Sequence, residues 1–98
     1  NSTTHGIYRS TDGGLTWNVT NFNPTNLGMG GLGDNFRIDE IAVHPTIPNL
    51  VFVGTNEGLY RSTDNLNTWT QILSCNWVTE IVFHPTNPDV MYVYWRNA

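Results

Sequence analysis

An all-β chain assembled from repeated four-stranded antiparallel units is the fold class this sequence predicts, and three observations predict it. The segment Gly6-Ile7-Tyr8-Arg9-Ser10-Thr11-Asp12-Gly13-Gly14-Leu15-Thr16-Trp17 returns as Gly58-Leu59-Tyr60-Arg61-Ser62-Thr63-Asp64-Asn65-Leu66-Asn67-Thr68-Trp69, an offset of 52 residues. Ile41-Ala42-Val43-His44-Pro45-Thr46 returns as Ile81-Val82-Phe83-His84-Pro85-Thr86, an offset of 40. The apolar segments, such as Leu50-Val51-Phe52-Val53 and Val90-Met91-Tyr92-Val93, are short and rich in β-branched and aromatic residues, with no helical period.

Along the chain, strands A to D are expected near 37–43, 50–54, 58–62 and 68–73. Proline cannot donate to a sheet ladder, so Pro45 and Pro48, repeated at Pro85 and Pro88, mark a tight link between A and B. Residues 1–22 then hold only the C and D strands of a first unit, 37–73 a complete unit, and 74–98 the A and B strands of a third. The two offsets differ by 12 residues, and the extra length falls in 23–36, where Gly28, Gly30, Gly31 and Gly33 predict an inserted surface loop between D and A. A four-stranded antiparallel unit of this period fits a β-propeller blade. About two blades' worth of strands cannot close a ring and leaves open edges, so the chain reads as a segment of a longer protein. The other reading is several copies completing each other's half-blades.

The pattern Ser-x-Asp-x-Gly-x-Thr-Trp at Ser10–Trp17 resembles the Asp-box, or bacterial neuraminidase repeat, of sialidases, sortilin-type receptors, xyloglucan-degrading glycoside hydrolases and photosystem assembly factors. Together with Ile-Ala-Val-His-Pro-Thr, it is most similar to the xyloglucanase and sortilin-like propellers. The resemblance implies a fold more than an activity, because the same box serves enzymes, receptors and assembly factors.

The box has a local physical reason. A carboxylate and a hydroxyl on a tight hairpin accept backbone N–H groups that the turn leaves unpaired, and glycine permits a positive φ. Ser10, Asp12, Gly14, Thr16 and Trp17, with Ser62, Asp64, Thr68 and Trp69, are therefore read as structural. Trp17 and Trp69 are expected to anchor their hairpins, and Tyr8 and Tyr60 to pack. Leu66 replaces the box glycine, so Asn65 or Asn67 is expected to supply the left-handed residue. Residues repeated from unit to unit suit a turn better than a single active site, which argues against Asp12 and Asp64 as catalytic carboxylates.

Composition excludes some classes of function. A net charge of −4, four arginines and no lysine argue against nucleic acid. Cys75 is a lone thiol, giving neither an internal disulfide nor a metal cluster. His44 and His84 precede proline at equivalent positions and read as turn residues, not metal ligands, and His5 is uninformative. Gly28-Met29-Gly30-Gly31-Leu32-Gly33 has no following lysine or helix and reads as a flexible loop rather than a phosphate cradle. No metal or cofactor is implied. Asn1-Ser2-Thr3 and Asn18-Val19-Thr20 fit the glycosylation sequon, no apolar stretch approaches membrane-spanning length, and no leader opens the segment. A secreted or cell-surface protein, bacterial in origin, is the expectation.

Functional residues are sought where the repeats differ, on the face carrying the B to C and D to A connections. Gly54-Thr55-Asn56 is replaced at the 40-residue offset by Tyr94-Trp95-Arg96, and aromatic plus arginine is the composition that grips sugars or peptides. Phe36, Arg37, Asn76, Trp77, Tyr94, Trp95 and Arg96 are the candidate ligand-binding residues. Glu40 and Glu80 are repeat equivalents. Asp34 and Asp39 are the non-repeated carboxylates near that face and the only catalytic candidates, since glycoside hydrolysis needs two carboxyls about 5 to 9.5 Å apart. The leading expectation is a non-catalytic binding or scaffolding module for a glycan or protein partner. The alternatives are blades of a xyloglucanase-like glycoside hydrolase and a sortilin-like peptide receptor.

Overall fold

The computed structural model describes residues 6–28, 31 and 35–96. The chain divides into two compact units, the first ending at Phe36 and the second beginning at Arg37. In the first, β1 (Tyr8–Arg9) pairs antiparallel with β2 (Asn18–Val19). Thr20 secures this short ribbon, since its backbone N–H and hydroxyl both donate to the Ile7 carbonyl, at 2.9 and 2.7 Å. Ile7, Phe22, Pro24 and Phe36 are buried in this unit.

The second unit carries two sheets. β3 (Ile38–Val43), β4 (Val51–Thr55), β5 (Gly58–Ser62) and β6 (Thr70–Leu73) pair in chain order as an antiparallel meander, and β7 (Trp77–Phe83) pairs with β8 (Met91–Arg96). The Val51-Phe52-Val53 run has no polar face to turn to water, and β4 is buried along its whole length. Between β3 and β4, as between β7 and β8, proline ends the ladder and histidine closes the turn. His44 Nδ1 accepts the backbone N–H groups of Thr46 and Ile47, and His84 Nδ1 those of Thr86 and Asn87, all at 3.2 Å.

The Ser-Thr-Asp turns repeat as closely. Asp12 Oδ1 accepts the N–H groups of Leu15 and Thr16, Asp12 Oδ2 accepts the Thr16 hydroxyl, and Ser10 Oγ accepts the Gly14 N–H. Asp64, Thr68, Ser62 and Leu66 repeat the scheme, Leu66 standing for Gly14. Two consecutive left-handed residues are needed in each copy: Gly13 and Gly14 at φ 75° and 93°, Asn65 and Leu66 at 61° and 70°. The expected asparagine, Asn65, is one of them. Leu66 is the other, and it tolerates the conformation because its side chain is buried at 4 % exposure.

The two sheets of the second unit meet over Leu50, Phe52, Leu59, Val78 and Ile81, with Ala42, Phe83, Met91 and Val93 at the margin. Gly54 permits this contact. A β-carbon there would stand 2.7 Å from Val78 Cγ1 and 3.0 Å from the Val78 carbonyl oxygen. Phe52 and His44 also meet Phe83 edge to face, at ring separations of 6.1 and 5.5 Å.

The expectation of propeller blades is corrected by these sheets. They are three separate antiparallel sheets of two, four and two strands, none closed or curled into a blade set. The repeats fix turns and hairpins, which are local, whereas ring closure requires curvature and edge pairing that no hairpin motif encodes. The anchoring role expected for Trp17 is corrected too. It is 58 % exposed and folds back over its own turn, its Nε1–H donating to the Gly14 carbonyl at 3.1 Å. Tyr8 and Tyr60 likewise part company: Tyr60 on β5 is buried, and Tyr8 on the two-stranded ribbon is exposed.

Two substitutions test this packing. Gly54→Ala is expected to lose roughly 1–3 kcal/mol in urea unfolding, the usual cost of overpacking, while Gly31→Ala, with open space around it, stays near wild type. Leu66→Ala is expected to lose about 2–5 kcal/mol of buried-leucine packing. Leu66→Gly should lose less than the alanine variant, because glycine releases the left-handed strain of about 1–2 kcal/mol.

Candidate functional site

Among the described residues, Asp12 and Asp64 are the most heavily hydrogen-bonded carboxylates, and their environment decides what they can do. Donation from the Thr16 hydroxyl first, then from the Thr16 backbone and Ser10, holds the Asp12 carboxyl down at about 2. Thr68, through its hydroxyl and backbone, lowers Asp64 in the same way. A carboxyl held ionised makes a poor proton donor at neutral pH, and its lone pairs are already occupied by the turn. These groups are staples of the turn.

A different set converges in the second unit. β3 and β7 each carry a bulge at equivalent positions, between Ile38 and Glu40 and between Val78 and Glu80, leaving Asp39 and Thr79 as the extra residues. A bulge re-aims the side chains around it. Asp39 Oδ2 accepts the Trp77 Nε1–H at 2.5 Å, and Asp39 Oδ1 lies 3.7 Å from Arg37 Nη2. Asn56 clamps the Arg37 backbone, accepting its N–H on Oδ1 at 2.8 Å and donating to its carbonyl at 3.1 Å. Arg37 and Arg96 both place their guanidinium groups against the Trp77 ring, 5.3 and 4.7 Å from its centroid. Each contact is a cation–π attraction that orders an otherwise mobile side chain.

Strand alternation extends the site. Arg96 lies directly opposite Trp77, and Tyr94 and Tyr92 follow at intervals of two along β8. Residues so spaced share one face. Tyr92 and Tyr94 are 59 % and 61 % exposed, so this face carries a stripe of two tyrosine rings leading to the arginine and tryptophan cluster. Trp95 is exposed on the alternate side of the strand, and Asn76, next to Trp77, is exposed as well.

Elsewhere in this unit Leu50, Phe52, Ile72 and Met91, together with Arg61 and Asp89, line an open groove of about 390 Å³. His44, also in its lining, is buried. Because His44 Nδ1 accepts two backbone N–H groups, its proton resides on Nε2, which faces Asp89 Oδ1 at 3.2 Å. His44 and Asp89 thus satisfy each other.

Of the residues singled out from sequence, Arg37, Asp39, Trp77 and Arg96 come together. Phe36 is buried at 2 % exposure, and Asp34 lies outside the described residues. Sequence reasoning placed Asp39 as a catalytic candidate and missed its bond to Trp77, which joins residues 38 positions apart. It also missed the Tyr92–Tyr94 alternation, a signal present in the β8 sequence. Among the described residues no group of three or more His, Cys, Asp or Glu could hold a metal ion, and no helix is long and apolar enough to cross a membrane.

No family model matches the chain, and no solved structure matches it. A probable oligoxyloglucan-reducing end-specific xyloglucanase of Neosartorya fischeri is similar over 78 residues at 32 % identity, covering 71 % of this chain and 9 % of that protein. The chain thus spans less than a tenth of the length of the curated relative it matches. The Asp-box family assignment is corrected accordingly: the repeat is matched by no family model, and the sheets are open. The scaffolding-module, xyloglucanase-blade and sortilin-like readings all presupposed the propeller and fall with it. The bacterial origin also lacks support, since the similar protein is fungal.

The turn carboxylates give a pH prediction. Folding lowers the Asp12 pKa below its unfolded value of about 4, so its stabilising contribution is complete above that pH and is lost as pH falls through about 2. A carboxyl-carbon NMR titration should place the Asp12 midpoint near 2, and Thr16→Val should raise it. An Asp12 midpoint at the ordinary value would refute the network.

Proposed function

We propose that the second unit contacts carbohydrate along the outer face of the β7–β8 sheet, from Tyr92 and Tyr94 to Arg96, Trp77 and Asp39. The exposed tyrosine stripe is the observation that carries this reading: the rings offer flat apolar surfaces to the C–H faces of sugars. At one end of the stripe, Arg37 and Arg96 supply ordered donors for hydroxyl and ring oxygens, and Asp39 supplies an acceptor held by Trp77. The similarity to a protein whose name specifies action on oligoxyloglucan supports the same class of ligand. A secreted or cell-surface setting follows from that reading, since polysaccharides of this kind are met outside the cell.

Isothermal titration of the chain with a panel of neutral and acidic oligosaccharides tests the proposal. Tyr94→Ala is expected to weaken binding roughly 2- to 10-fold, the worth of one stacked ring, and Tyr92→Ala to weaken it further. Binding indifferent to the double substitution would refute this face, and no binding by any saccharide would refute the function.

A further inference from the structure

Within the cluster, charge is unbalanced. Two guanidinium groups, Arg37 and Arg96, press on one indole, and a single carboxylate, Asp39, accompanies them. One Asp39 oxygen is taken by the Trp77 N–H, and the other is a loose 3.7 Å from Arg37. Arg96 has no carboxylate within ion-pair distance among the described residues. The Arg37–Asp39–Arg96 group therefore carries one positive charge in excess on a chain whose net charge is −4, and the exposed Glu80, paired with Tyr94, is the next carboxylate along the face.

A guanidinium held against an aromatic ring keeps its N–H donors free at its edge. Such a fork matches the two oxygens of a planar carboxylate. A pair of sugar hydroxyls can also accept from the fork, but it brings no charge to offset the two guanidinium groups. Tyr94, on the same face of β8 two residues from Arg96, lies where a ring attached to that carboxylate would extend.

We propose that the Arg37–Trp77–Arg96 cluster binds the carboxylate of a uronic-acid-containing oligosaccharide, with the neighbouring sugar ring against Tyr94. This rests on the carbohydrate reading above and narrows it to acidic saccharides. Arg96 makes the principal contact, because Arg37 is partly neutralised by Asp39.

The test compares tetragalacturonate, its methyl ester and a neutral xyloglucan oligosaccharide by isothermal titration of the intact chain at low and high salt. Tetragalacturonate is expected to bind at least tenfold tighter than the ester and to weaken with salt. Arg96→Gln should abolish that preference, bringing tetragalacturonate and its ester to equal affinity. Arg96→Lys, which keeps the charge without the planar fork, should retain only part of it, and a thermal melt verifies that both variants fold. Equal binding of acid and ester, or a preference surviving Arg96→Gln, would overturn the assignment. A sulfated tetrasaccharide binding more tightly than tetragalacturonate would overturn the choice of carboxylate over sulfate. If neutral saccharides bind through Tyr94 but acids gain nothing, the narrowing fails alone. If nothing binds, the carbohydrate reading fails with it.

Discussion

Gly54 has no side chain, and Val78 occupies the space one would need. That single close approach lets β7 lie against the four-stranded sheet and completes the core of Leu50, Phe52, Leu59, Val78 and Ile81. It also sets where the neighbouring residues fall. Trp77, one residue before Val78, arrives beside Asp39 on β3, and Arg96 on β8 follows because it is paired with Trp77. The cluster is thus a product of core packing. Asp39, Trp77 and Arg96 lie on three strands, with Arg37 just before the first of them, and a shift in any one of those strands would disperse the cluster.

The repeated turns follow a different logic. In both copies serine and aspartate accept equivalent backbone N–H groups and the threonine hydroxyl donates to the aspartate, so the hairpin carries its own hydrogen-bond partners. What surrounds each copy is not the same. Around the second, Leu66 and Tyr60 are buried and a leucine in the left-handed region is tolerated; around the first, two glycines carry that conformation and Trp17 covers its own turn. Identical local chemistry therefore coexists with unequal burial.

This explains which features the sequence discloses. Strand positions were legible, because Pro45, Pro48, Pro85 and Pro88 punctuate apolar runs too short for helices, and β3 to β6 lie within about two residues of their expected spans. The turn chemistry was legible because its partners lie within four residues of one another. Sheet curvature was not, since the repeat does not encode it, and among the described residues the sheets do not form the expected blade set. For the site, residue types were legible from the difference between repeats: Arg37, Trp77 and Arg96 stood out as aromatic and basic substitutions. Their convergence at the Trp77 ring, beside Asp39, was hidden, because it depends on a bulge and on contact between two sheets. Phe36 shows the opposite failure, a residue with a binder's composition and a core residue's burial.

The bulge at Thr79 also sets the phase of β7. Val78 and Ile81 both point into the core although they are three residues apart, an odd spacing that a regular strand would place on opposite sides. One supernumerary residue resets the alternation, so the strand reads in one frame before Thr79 and in the other after it. Hydrophobic pattern and chain geometry agree only when that residue is counted. Removing it would restore plain alternation without moving a core residue: Val78, Ile81 and Phe83 would keep Trp95, Val93 and Met91 as partners and face the interior, and Val82 would still face water.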